Sequence, residues 1–206
     1  LGQMLADFDR THLASQYYVR SLELARTHFG EDSSKVGAIY LELGAVALRA
    51  EQFDTAHSRI TDAREILYSS TDPAARSNLV RADLLLGDYF LKTRQYEQAI
   101  EPLLLSLESL SRYPNADITL RNRIALIEAY ENLGRSEEST VHCLFIGASR
   151  AFRGNERLQP LYTVVPDVAD FTGISDQRDD LRIAFTVDEE GFVRDPVVIS
   201  SIDSEI

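Results

Sequence analysis

Apolar residues along the first three-quarters of the chain recur at helical spacing. Val36, Ile39, Tyr40, Leu43, Val46 and Ala47 fall on one side of a 3.6-residue period, which is the pattern of an amphipathic helix. Punctuation agrees: Asp72-Pro73 reads as a helix cap followed by a first-turn proline, and Tyr113-Pro114-Asn115 as a break. Together these predict helices over 6–28, 34–50, 53–69, 73–93, 96–112, 117–133 and 136–152. After Arg153-Gly154-Asn155 the helical period stops, and Pro160, Pro166 and Gly173 mark an irregular stretch. Alternation then begins at Leu181-Arg182-Ile183-Ala184-Phe185-Thr186-Val187 and resumes in Phe192–Ile199 after the glycine-bearing turn Asp188–Gly191, which predicts a β-hairpin with one buried face. The expected organisation is a helical-repeat domain over 1–154, a linker over 155–180 and a hairpin segment over 181–206.

The helical part repeats. Leu43-Gly44 is followed by Ala47, Phe53, Ala56, Ile60 and Ala63, and Leu86-Gly87 by Phe90, Tyr96, Ala99, Leu103 and Ser106, each position 43 residues further on. A weaker copy continues 40 residues later through Leu126, Tyr130, Ser136, Ser139, Cys143 and Ile146, with Leu133-Gly134 between. Ala14, Tyr18 and Ser21 fit the second helix of an earlier unit, making roughly three and a half units. Small residues such as Gly44, Ala56, Gly87 and Ala99 permit close approach of paired helices, while Phe53, Phe90, Tyr96 and Tyr130 fill the space between units. One pair cannot bury its apolar faces alone, and stacking buries them.

The Leu-Gly, aromatic, aromatic, Ala pattern resembles the tetratricopeptide repeat over residues 10 to 150. The stretch Leu22–Asp32 is similar to the lengthened variety found in kinesin light chains. There is no tryptophan, and the proline that usually closes a unit is absent. The resemblance implies a mainly α fold, an antiparallel helix-pair solenoid winding into a superhelix with a short C-terminal β-hairpin. It also implies a non-enzymatic role in holding another protein.

The tail carries a second resemblance. Phe185–Ser201, with its strand, acidic turn ending in Gly191, second strand and Ser200-Ser201 pair, resembles the first hairpin of TonB carboxy-terminal domains. Leu158-Gln159-Pro160-Leu161-Tyr162 is similar to the lead-in of that domain. In that family a helix and a strand follow, the strand able to pair with the TonB-box segment of outer-membrane receptors, and this sequence stops at Ile206 before both. A two-stranded hairpin is marginal alone, so support from the helices or from another chain is expected, including self-association of two copies through the hairpin edge.

Charge narrows the partners. With 33 acidic against 21 basic residues and a formal net charge of -12, the chain opposes attraction to nucleic acid or anionic membranes. No apolar run approaches a membrane span, so no direct insertion is expected in this segment. Leu1-Gly2-Gln3-Met4 reads like the middle of something longer, which leaves room for a leader or anchor upstream.

Catalytic chemistry finds no foothold. The histidines at 12, 28, 57 and 142 lack the spacing of metal ligands or of a general base, and they read as surface or core residues. Cys143 stands where the repeat wants an apolar side chain and reads as a buried, inert thiol. Asp188-Glu189-Glu190 crowds a turn instead of spacing ligands round a loop. Neither a phosphate-binding glycine loop nor a serine elbow is present. No cofactor is expected.

The repeat frame places a concave groove on the first helix of each unit. Its candidate partner-binding residues are Leu41, Leu48 and Arg49 in one unit, Arg81, Leu84, Asp88 and Lys92 in the next, and Arg121, Glu128 and Asn132 in the third, with Ala45 and Ile124 alongside. Four are basic, which suits an acidic or carboxylate-bearing peptide; the alternative is that they pair with Asp88, Glu128 and their neighbours. The leading expectation is a periplasmic adaptor tied to TonB-type energy transduction and envelope transport components. The alternative is a general peptide-binding module, periplasmic or cytoplasmic, unrelated to TonB.

Overall fold

The computed structural model describes residues 11–149, 181–187 and 193–201. Among them lie helices α1 (Thr11–Phe29), α2 (Ser34–Arg49), α3 (Phe53–Ser69), α4 (Pro73–Lys92), α5 (Tyr96–Ser109), α6 (Asp117–Asn132) and α7 (Ser136–Ala148), followed by strands β1 (Leu181–Val187) and β2 (Val193–Ser201). The expected helix residues 6–10 and 150–152, the linker, the turn at 188–191 and the last residues 202–206 lie outside the described residues.

Each helix packs on its sequence neighbour, and α2, α4 and α6 also pack on one another across units. The second helices α3, α5 and α7 make no comparable contact among themselves, so the first helices crowd the inside of the stack and the second helices splay on the outside. The result is a mainly α solenoid of antiparallel helix pairs.

The pairing within a unit is set by complementary sizes. A Cβ on Gly44 would stand 2.7 Å from Ile60 Cγ1, and one on Gly87 would stand 2.4 Å from Leu103 Cδ2. In the third unit the arrangement is reversed: the fully packed Ile127 takes the glycine position and the smaller Cys143 takes the position of Ile60 and Leu103. Close packing demands such compensation. The alanine and serine column Ala56, Ala99 and Ser139 is wholly buried in all three units.

The three within-unit turns share one geometry. Glu51, Arg94 and Gly134 have φ of 57°, 58° and 69°. The residue after each bonds back across the helix end: Gln52 N to Ala47 O, Gln95 N to Phe90 O and Arg135 N to Tyr130 O, at 2.9, 2.8 and 2.9 Å. This left-handed helix ending favours glycine, yet only the third unit has it.

Asp72 ties one unit to the next. It caps α4 by accepting from Ala74 N at 2.9 Å and also accepts from Ser34 Oγ at the start of α2 at 2.5 Å. These two hydrogen bonds, Ser34's first, hold its carboxyl below the usual carboxylate range.

β1 and β2 pair antiparallel, from Leu181↔Ser201 to Val187↔Val193. The register shifts between Arg182 and Ile183 and between Ala184 and Thr186, so β2 carries extra residues. One shift coincides with Asp195 at φ 49°, just before Pro196, a bulge where the missing proline donor is tolerated. Phe185, Val193 and Val197 are more than half exposed, which departs from the buried face expected of simple alternation.

Candidate partner-binding face

The inner face is a stripe at i, i+4, i+7 and i+11 on each first helix. It comprises Ala38, Glu42, Ala45 and Arg49 on α2, Arg81, Leu85, Asp88 and Lys92 on α4, and Arg121, Ala125, Glu128 and Asn132 on α6. Leu41, Leu48 and Leu84 sit off it: they are 0%, 4% and 7% exposed and belong to the core, so they offer no side chain to a ligand. On a helix a one-residue shift turns a side chain by about 100°, enough to move it from core to face.

Two polar clusters form on the stripe. In the first, Arg81 donates through Nη1 and Nη2 to both oxygens of Glu42, the second contact at 3.2 Å. Tyr18 Oη of α1 also donates to Glu42 Oε2 at 3.4 Å. This forked, charge-assisted contact joins α1, α2 and α4. Burial first, then the Glu42 carboxylate, pushes the Tyr18 hydroxyl up to about 12, while Arg81 and then Arg49 act on it in the opposite direction. The hydrogen bond to Glu42 raises Arg81 further.

In the second cluster Asp88 of α4 meets Arg121 and Glu128 of α6 and Lys92 of its own helix. Burial pushes the Asp88 carboxyl above its ordinary value, with Arg121 and Lys92 opposing and Glu128 reinforcing. Burial likewise raises Glu128 against the pull of Lys92. Asn132 Nδ2 donates to Glu128 O at 2.8 Å. Arg49, Lys92 and Arg121 are exposed at the margin. Three carboxylates therefore stand among the four cations, and the face is of mixed sign instead of an unbalanced positive field.

The sequence pattern missed Tyr18 and Glu42. Their signal lies in the columns: Glu42 occupies a position that holds Leu85 and Ala125 in the later units, and Asp88 and Glu128 one that holds Ala45. A charge where an apolar residue suffices for the stack is a mark of something other than packing.

Elsewhere polar groups serve the core. Arg64 Nε lies 2.6 Å from Asp83 Oδ1, and burial outweighs that ion pair to raise the Asp83 carboxyl. His142 stacks on Tyr130 at 5.9 Å and 9°, and burial together with Arg123 lowers it to about 4. His57 joins Tyr89 and Phe90 in an aromatic cluster. Cys143 is half-buried with its thiol raised by burial. Among the described residues no group of three histidine, cysteine or acidic side chains could hold a metal, and no helix is long and apolar enough to cross a membrane.

Fold and face together define the class as a stacked helix-pair protein with a polar inner surface. No family model matches the chain, and no curated protein matches it. Among solved structures, the crystal structure of BtubC (BKLC) from P. vanneervenii is similar with a TM-score of 0.65 at 16% identity, over 80% of this chain. The chain spans 66% of the length of that protein, and at such identity the likeness concerns the fold alone.

Proposed function

We propose that the chain is a non-enzymatic interaction scaffold that holds a protein segment along the inner face of its helix stack. The observation that carries this is Asp88, a carboxylate raised by burial on a column where Ala45 satisfies the same packing in the preceding unit. A desolvated charge that the stack does not need is better explained by recognition. The mixed signs favour a segment carrying both charges, its basic side chains toward Asp88 and Glu128 and its acidic ones toward Arg49 and Arg121.

The repeat pattern supports a tetratricopeptide-type scaffold. The wording of Phe185–Ser201 supports an adaptor of the TonB type in the cell envelope. A general peptide-binding module remains the second reading, favoured by the fact that both polar clusters lie within residues 11–149 and include none of the tail.

A photo-crosslinking residue at Arg121, with a control at the exposed Glu65 of α3, tests the scaffold in cells of the source organism. The expected result is a discrete adduct from position 121 only; equal labelling at both positions rejects the inner face. The same experiment on spheroplast and periplasmic fractions, with and without residues 181–206, separates the readings. A periplasmic, tail-dependent adduct supports the TonB-type adaptor, and a tail-independent one supports the general module.

A further inference from the structure

A cleft of about 380 Å³ lies on the outer side of the stack, walled by α1 and α3 with α2 as its floor. That volume suits a small ligand or the end of a peptide. Its middle is apolar, formed by Val19, Leu22, Leu43, Val46 and Ala47, with polar groups toward both ends. Its cations are gathered at one end. Tyr40 stands there with a guanidinium from each wall against its ring, Arg26 of α1 at 5.4 Å and Arg59 of α3 at 5.3 Å from the centroid. Arg26 Nη2 donates to the Tyr40 hydroxyl.

Both guanidiniums are open to exchange. Their carboxylates, Glu31 at 2.9 Å from Arg26 Nε and Asp62 at 3.6 Å from Arg59 Nη1, are 68% and 44% exposed, and such surface pairs contribute little. Glu31 lies off the Nε–H axis of Arg26, so that among the described residues this buried donor has no hydrogen-bond acceptor. Among the described residues Glu23 is the one carboxylate lining the cleft itself. The far end presents the hydrogen-bonding groups of Ser15, Gln52 and Thr55, with His12 beside them, able to bond peptide amides that a hydrocarbon chain lacks.

From this arrangement we infer that the cleft binds the carboxy-terminus of a peptide whose last residues are apolar. The terminal carboxylate sits between Arg26 and Arg59 beside the Tyr40 hydroxyl, where charge-assisted hydrogen bonds hold it. The last side chains lie over Leu22, Leu43 and Val46, and the preceding amides run toward Gln52 and Thr55. This site is separate from the inner face, with no residue in common.

The test uses the 206-residue chain and a fluorescein-labelled octapeptide ending in two apolar residues with a free carboxylate. The same peptide as its carboxy-terminal amide is the control, and decanoate serves as a competitor. Binding of the acid at least tenfold tighter than the amide is expected. Arg59→Gln, on a side chain 40% exposed, lowers affinity at least tenfold without changing the melting curve. Val19→Trp, at a position 45% exposed, fills the cleft and abolishes binding. Asp88→Ala with Arg121→Ala leaves it unchanged, which keeps this result apart from that of the inner face. Equal affinity for acid and amide, or indifference to Arg59→Gln, overturns the inference. Displacement by decanoate at lower concentration than the unlabelled peptide also overturns it, in favour of a fatty-acid site.

Discussion

Gly87→Ala adds a single carbon, and the structure specifies what it meets. The new Cβ lies 2.4 Å from Leu103 Cδ2 and 2.5 Å from Leu103 Cγ, where carbon atoms rest at about 3.5–4.0 Å. Leu103 is wholly buried, and Cγ is the branch point of its side chain, so rotation of a methyl cannot relieve the contact. Overpacking of this kind costs about 1–3 kcal/mol. Alanine recovers about 1 kcal/mol over glycine in a helix interior, so the net loss is about 2 kcal/mol if the clash lies at the upper end. Leu103→Ala alone costs about 2–5 kcal/mol through lost burial and a cavity. With Leu103 removed the clash is gone, and Gly87→Ala becomes stabilising by about 1 kcal/mol. Urea titrations of the four proteins followed by helical circular dichroism give the cycle. A coupling of about 3 kcal/mol is expected, and additivity within about 0.5 kcal/mol would refute the size-complementarity account. The third unit already contains the compensated form, with Ile127 at the glycine position and Cys143 opposite.

Three further predictions follow from the same geometry. Glu51→Gly and Arg94→Gly relieve left-handed backbone at φ 57° and 58° and raise stability by about 1 kcal/mol each, whereas Gly134→Ala at φ 69° lowers it; no gain in either first case would contradict the turn assignment. Asn122 is fully buried with neither amide atom hydrogen-bonded among the described residues, on a column that holds Ala82 and Ile39 in earlier units, so Asn122→Leu stabilises by about 1–2 kcal/mol and a loss would reveal a hidden partner. His142, 7% exposed and lowered from 6.5 to about 4, stays neutral in the fold while the unfolded chain protonates, so its contribution is complete above pH 6.5 and is lost as pH falls toward 4. The loss is on the order of 3 kcal/mol; the measurement is the difference between wild type and His142→Gln across that window, and a pH-independent difference rejects the burial argument.

Much of the stack was readable because its signals are local. Apolar periodicity and the Asp72-Pro73 cap located the helices to within a few residues, and repeated small and aromatic columns disclosed the pairing. The forecast of α5 to 112 overran because the chain turns earlier, with Leu110 N bonded to Ser106 O and Tyr113 N to Leu110 O. Residues of the inner face were partly legible: Arg49, Arg81, Asp88, Lys92, Arg121, Glu128 and Asn132 lie on it, but Leu41, Leu48 and Leu84 turned inward. Tyr18 and Glu42 escaped because their partners are 24 and 39 residues away, and only the stacking of units brings them together. Asp195 shows the same limit in the hairpin, where a bulge breaks the alternation on which the buried face was predicted.

The most direct test of the scaffold account is the affinity of a peptide selected on the intact chain as an internal segment, without the free carboxy-terminus that the outer cleft takes, measured against Asp88→Ala, Arg121→Ala and the double variant. The account predicts about tenfold loss or more for each single change, in line with about 1.5–3 kcal/mol for hydrogen bonds to charged groups, with unchanged helical content. Peptides that bind all three variants as tightly as the wild type would contradict it, because the inner face would then not be where the partner lies.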